Sequence, residues 1–119
     1  MSDAAEWVKR LVAAVQPEIA HRARAPVSTY RLQMHPQHMT FRDAAQVVPY
    51  LHELGASHLY VSPCRKTRSG SPHGYAIVDY GELNPELGTA EDHQALVRAL
   101  QDRGMGKILD IVPNHMSAA

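Results

Sequence analysis

Three short runs rich in β-branched and aromatic or aliphatic residues punctuate the chain: Val27 to Gln33 (VSTYRLQ), His58 to Ser62 (HLYVS) and Lys107 to Val112 (KILDIV). They alternate with segments of helical periodicity, and that alternation constrains the fold more than any other feature. Between the first two runs, Phe41, Ala44, Ala45, Val48 and Leu51 fall on one stripe, so a helix is expected over Phe41 to Leu54. Thr40 is its expected N-cap, Gly55 its end, and Pro49 is expected to kink it. Before the third run, Thr89 with Asp92 three residues on announces another helix, with Leu96, Val97 and Leu100 as its apolar stripe and Gly104 closing it. Strands that alternate with helices imply right-handed βαβ units and a parallel sheet. Such a sheet needs cover on both faces, which three strands accomplish poorly. The expected architecture is therefore the opening of something larger.

The flanking segments carry less pattern. Val8, Leu11, Val12, Val15 and Ile19 recur at helical spacing, which predicts a helix over residues 3–16 with Asp3 as cap and Pro17 as an interruption. His21 to Ala25 reads as a linker. The stretch from Cys64 to about Gly88 is full of Ser, Gly, Pro and charged residues and reads as one long loop, of a length that in a small domain is usually functional or disordered.

Composition narrows the function classes. Twelve basic residues balance twelve acidic ones among 119, which gives no electrostatic reason to expect nucleic acid or an anionic membrane as partner. No apolar run reaches transmembrane length, and the N-terminus lacks the apolar core and cleavage pattern of a secretory signal. Cys64, the single cysteine, cannot form an internal disulfide, and a cytoplasmic address is expected. Neither a G-x-G-x-x-G nor a P-loop is present. His35-x-x-His38 with His73 raises a metal site as a rival idea, but the pair lies in a loop without cysteine partners, and no metal or cofactor is expected.

The densest chemistry is Asp110-Ile111-Val112-Pro113-Asn114-His115 at the end of the third run. Alternation puts Asp110 and Val112 on one face and Ile111 on the other. A carboxylate, an amide and an imidazole gathered there supply hydrogen-bonding groups of different polarity, suited to sugar hydroxyls. On spacing alone the stretch reads equally as a strand ending in a polar turn.

The sequence D-x-V-x-N-H after a third strand resembles the first signature region of the α-amylase superfamily. His73-Gly74-Tyr75, Val78-Asp79-Tyr80 and Asn84-Pro85-Glu86-Leu87-Gly88-Thr89 resemble the segment that precedes it there. Thr29 to Gln33, Ser57 to Pro63 and Gly70 to Tyr75 are similar to the maltooligosyltrehalose synthase branch of that superfamily, and the likeness runs over residues 27–117. The resemblance implies a partial TIM (β/α)8 barrel: the first three parallel strands with their helices, preceded by an N-terminal helix. It divides the chain into a helical extension, 1–25, and the N-terminal portion of a catalytic barrel, 26–119, truncated after strand three.

The same resemblance implies an enzyme that converts the reducing-end α-1,4 link of a maltooligosaccharide into an α,α-1,1 link by intramolecular transfer. It implies that Tyr75 stacks on a glucose ring, that His115 hydrogen-bonds a hydroxyl of that glucose, and that Asp110 and Asn114 organise the site. His73 and His35 complete the candidate substrate-binding set. The nucleophile and general acid/base are expected beyond the C-terminus, leaving residues 1–119 inactive alone and the rest of the barrel as a partner. Ala76 departs from the synthases, which have Asp after the His-Gly-Tyr triplet. Two other readings stay open: a non-catalytic α-glucan-binding α/β module, and a fragment of another hydrolase or glucanotransferase of the superfamily.

Overall fold

A computed structural model describes residues 2–22, 25–113 and 115–118. Its elements run α1 (Ser2–Arg22), β1 (Thr29–Leu32), α2 (Phe41–Leu54), β2 (His58–Val61), β3 (Arg65–Thr67), β4 (Ile77–Leu83), a 3-10 turn (Pro85–Leu87), α3 (Ala90–Gln101) and β5 (Gly106–Leu109). β1, β2 and β5 form a parallel sheet in the order β1-β2-β5, and β3 and β4 form a separate antiparallel pair. The parallel sheet with α2 and α3 between its strands is the opening portion of a (β/α) barrel, as the alternation of patterns requires.

Register decides which side chains face which layer. Tyr30 lies beside Leu59 and Leu59 beside Lys107, while Arg31 lies beside Tyr60 and Tyr60 beside Ile108. Successive residues point to opposite faces, so Leu32, Leu59 and Val61 share one face, and Arg31 and Tyr60 share the other. The first set is buried against Phe41, Ala44, Val48, Leu51, Leu96 and Leu100 of the two helices. The second set faces the barrel's interior side.

Both packed helices begin as the sequence dictates. Thr40 accepts from the Asp43 amide while Asp43 returns a bond to the Thr40 amide, and Thr89 and Asp92 repeat that box on α3. Arg42 of α2 reaches Asp92 of α3 at 2.7 Å, a staple between the helices. Gly55 closes α2 at φ 94°, a left-handed cap that a side chain would strain.

Three expectations need correction. α1 runs through Pro17 to Arg22, so His21 and Arg22 belong to the helix and Asp3 lies in its first turn. The helix is exposed along its length, so a carbonyl left without a partner by Pro17 can turn to water. α2 carries Pro49 within its span, at an exposed position. The segment from Cys64 to Gly88 holds the β3–β4 hairpin and the 3-10 turn. Its base is locked where the Asn84 amide donates to the Cys64 carbonyl at 2.9 Å and the Asn84 side chain donates to Thr67 Oγ1 at 3.2 Å. Finally, the third parallel strand ends at Leu109, so Asp110 to Val112 lie just past its tip.

Candidate functional site

At the C-terminal tips of the parallel strands, polar side chains from β1, β2, the hairpin loop and the segment after β5 converge. The Tyr75 phenol donates to Asp110 Oδ2 at 2.5 Å, and Tyr60 Oη donates to the same oxygen at 3.2 Å. Arg31 Nη2 donates to Tyr75 Oη at 3.1 Å, and its guanidinium lies over the Tyr60 ring, 5.6 Å from the centroid. Gln33, just past the end of β1 and two residues after Arg31, accepts from Arg31 Nη1 and donates to the His73 carbonyl at 3.0 Å.

The loop that presents Tyr75 is shaped by backbone bonds. The Tyr75 amide donates to His73 Nδ1 at 2.9 Å, and the Arg68 amide donates to the Ala76 carbonyl at 2.9 Å. These hold the turn where Ala76 offers no carboxylate. Gly74 sits at φ 82° with the Pro63 carbonyl oxygen 3.0 Å from where a Cβ would stand, so a side chain here is strained by its backbone and crowded by that oxygen. Below this loop, the Tyr80 hydroxyl caps the carbonyls of Val112 and His115, and the Ser117 amide donates to the Ile77 carbonyl at 2.8 Å. The chain after β5 is thus strapped to β4.

Electrostatics follow the geometry. The Asp110 carboxylate pushes the Tyr75 phenol up, with Arg31 opposing it. A cavity of about 590 Å³ opens beside β5. In its wall, Lys107 Nζ lies 2.7 Å from His93 Nε2, and burial lowers the proton affinity of both. Cys64 is buried in the same wall, its thiol donating to the Ser62 carbonyl, and burial pushes its pKa up.

Of the residues singled out from sequence, Tyr75, Asp110 and His73 are brought together. His115 lies exposed nearby and is tied in by its carbonyl, and Asn114 falls outside the described residues. His35 is engaged locally: it pairs with Met39, accepts from the Gln37 amide and stacks on His38 at 4.6 Å. Among the described residues no group of three His, Cys, Asp or Glu is placed to hold a metal. Sequence reasoning passed over Arg31, Gln33, Tyr60 and Tyr80. The signal for the first two was present, since polar residues two apart in a strand share a face.

A parallel strand–helix array with an Asp and a loop tyrosine joined at its C-terminal rim has the layout of a (β/α) barrel, the class of fold that carries its functional groups at the strand tips. Residues 41–119 match the family described as Alpha amylase, catalytic domain, and the chain belongs to that family. Within it, the chain is similar to the N-terminal portion of maltooligosyltrehalose synthases. It is 45% identical over 94 residues to a putative maltooligosyl trehalose synthase of Mycobacterium tuberculosis (strain CDC 1551 / Oshkosh), covering 76% of this chain and 12% of that protein. The solved maltooligosyltrehalose synthase of Arthrobacter ramosus superposes with a TM-score of 0.73 at 50% identity, covering 76% of this chain and 12% of that one. Alpha-amylase 2 of Dictyoglomus thermophilum (strain ATCC 35947 / DSM 3960 / H-6-12) is 50% identical over 68 residues, 57% of this chain and 12% of that protein. The chain thus spans about an eighth of the length of these relatives. No described helix is long and apolar enough to cross a membrane.

Proposed function

We propose that the rim built on Tyr75 and Asp110 binds a glucose unit of a maltooligosaccharide, as part of an enzyme that makes trehalose-ended products. The observation that carries this reading is the Tyr75–Asp110 contact, which brings an aromatic ring beside a carboxylate at the strand tips. The ring's face suits the C–H surface of a sugar, and the polar groups around it suit hydroxyls. His73, His115, Asn114 and His35 complete the proposed substrate-binding set, with no metal or cofactor. The proposed organisation is a helical extension over 1–25 and a barrel portion over 26–119, in the cytoplasm, with α-1,4-glucan rather than nucleic acid or membrane as partner.

The proposed reaction needs two carboxyl groups across the scissile bond, one as nucleophile and one as acid then base. Asp110 is assigned a different part, that of organising the rim, with Oδ2 accepting from the Tyr60 and Tyr75 phenols. The pair is supplied by polypeptide outside residues 1–119, which also closes the sheet beside β5. The reducing-end glucose is cleaved, retained, turned, and attacks the glycosyl-enzyme through its anomeric hydroxyl. Water must be kept out, or hydrolysis competes.

A titration of the chain with maltotriose, followed by nuclear magnetic resonance, tests the binding reading. Shifts are expected at Tyr75 and its neighbours, and they should vanish in Tyr75→Ala. Incubation with maltopentaose should give no trehalose-ended product from residues 1–119 alone; turnover by this chain would refute the assignment of the carboxyl pair. The 50% identity to an alpha-amylase over 68 residues supports a second reading, a hydrolase of the same family. Release of free maltose rather than a trehalose-ended product, once the remaining polypeptide is added, would select it.

A further inference from the structure

The Tyr75 ring stands on a loop between β3 and β4, and loop backbone alone leaves a side chain free to change rotamer. Its hydroxyl, however, is held from two sides. Asp110, past the tip of β5, accepts its proton, and Arg31, near the tip of β1, donates to its oxygen at 3.1 Å. β2 lies between those strands, so the two anchors approach from opposite edges of the sheet. One anchor would let the ring pivot about its oxygen, and two remove that freedom. Arg31 is itself fixed by Gln33 and by the Tyr60 ring beneath it, and Tyr60 shares the Asp110 oxygen with Tyr75. Through Gln33 the same unit also grips the His73 carbonyl, two residues before Tyr75. The loop is therefore held at its backbone by Gln33 and at its side chain by Arg31, two residues apart at the end of β1.

We propose that Arg31 is a positioning residue for Tyr75: it orients the aromatic ring for its sugar without touching the reacting bond. The inference rests on the reading of Tyr75 as a stacking platform, but its geometric part can fail separately. A planar fork of donors is what the task needs, because one nitrogen must serve Gln33 while another serves Tyr75. Lysine in that place supplies one charge and no fork.

The test compares the unmutated chain with Arg31→Met and Arg31→Lys, using tyrosine labelled at the ring carbon that bears oxygen. In Arg31→Met the Tyr75 phenol should titrate at higher pH, because the opposing cation is gone and Asp110 stays. Ring contacts between Tyr75 and Asp110 should weaken, with amide protection of α2 and α3 unchanged. Arg31→Lys should restore the titration but only part of the ring order. Maltotriose affinity should fall about tenfold in Arg31→Met, the loss expected for a charged hydrogen bond. As a second readout, Tyr75→Phe should free the Arg31 guanidinium to rotate faster about its Nε–Cζ bond. An unchanged phenol titration and unchanged ring contacts in Arg31→Met would overturn the proposal. If instead these change while the unmutated chain shows no maltotriose shifts, the positioning role stands and the sugar-binding reading falls.

Discussion

Tyr75 and Asp110 are 35 residues apart in the chain, yet the phenol of one meets the carboxylate of the other at 2.5 Å and so joins the hairpin loop to the tip of β5. Removing the hydroxyl while keeping the ring isolates that tie. Tyr75→Phe should cost about 1 kcal/mol of stability in urea unfolding, the low end for a bond to a charged group because the site is open to water. Sugar-induced shifts should weaken as well, since the ring loses its anchor. Wild-type stability with wild-type shifts would show that the bond has no consequence.

Gly74 offers a backbone test of the same loop. Alanine there meets both a left-handed φ of 82° and a carbonyl oxygen of Pro63 at 3.0 Å. The conformational penalty alone is about 1–2 kcal/mol. Gly74→Ala should therefore lower the melting temperature and displace the Tyr75 resonances. Gly70, also at positive φ but with nothing near its missing Cβ, should show the smaller loss on the same change.

Legibility from sequence divided along physical lines. α2 and α3 were readable because capping threonines and a 3.6-residue stripe of Phe41, Ala44, Val48 and Leu51 act locally, and the structure reproduces α2 to the residue. Tyr75, Asp110 and His73 stood out in the sequence because they match the family's motifs, and the structure brings them together. The β3–β4 hairpin escaped because Arg65 to Thr67 has no apolar alternation, and its stability comes from distant bonds such as Asn84 to Thr67. Arg31 escaped because a strand arginine announces nothing until Tyr75 is brought over it from 44 residues away. His35 shows the converse, a motif residue whose bonds in the structure are local.

His93 and Lys107 predict a dependence on pH. Burial lowers the affinity of His93 for a proton below its ordinary 6.5, with the charges of Lys107 and Arg65 adding to the effect. The unfolded chain then binds that proton more readily than the folded one. The contribution to stability is complete above pH 6.5 and is lost as pH falls from there through the lowered folded value. Lys107, lowered from 10.5 chiefly by burial, carries a burial penalty at neutral pH. Lys107→Met should raise stability at pH 7 by about 1 kcal/mol, and should move the His93 ring titration upward. Denaturant melts at pH 7 and a His93 proton resonance followed from pH 4 to 8 check both. A less stable Lys107→Met chain would show that the amine is compensated.

α1 stands apart from the packed core. Its Trp7, Val8, Leu11, Val12, Val15 and Ile19 are all exposed, between 40% and 63%, and none belongs to the core cluster beneath the parallel sheet. Apolar surface left in water stabilises nothing, however regular its spacing, because the gain comes only from area withdrawn from solvent. Deleting residues 1–22 should therefore leave the unfolding free energy of the remaining chain within about 0.5 kcal/mol of the original. The far-UV helical signal should fall by roughly the share of one helix, while the Tyr75 and Asp110 resonances stay in place. A loss of several kcal/mol on deletion would mean that α1 packs on the sheet in solution, and the stripe of valines would then have to be counted in the core.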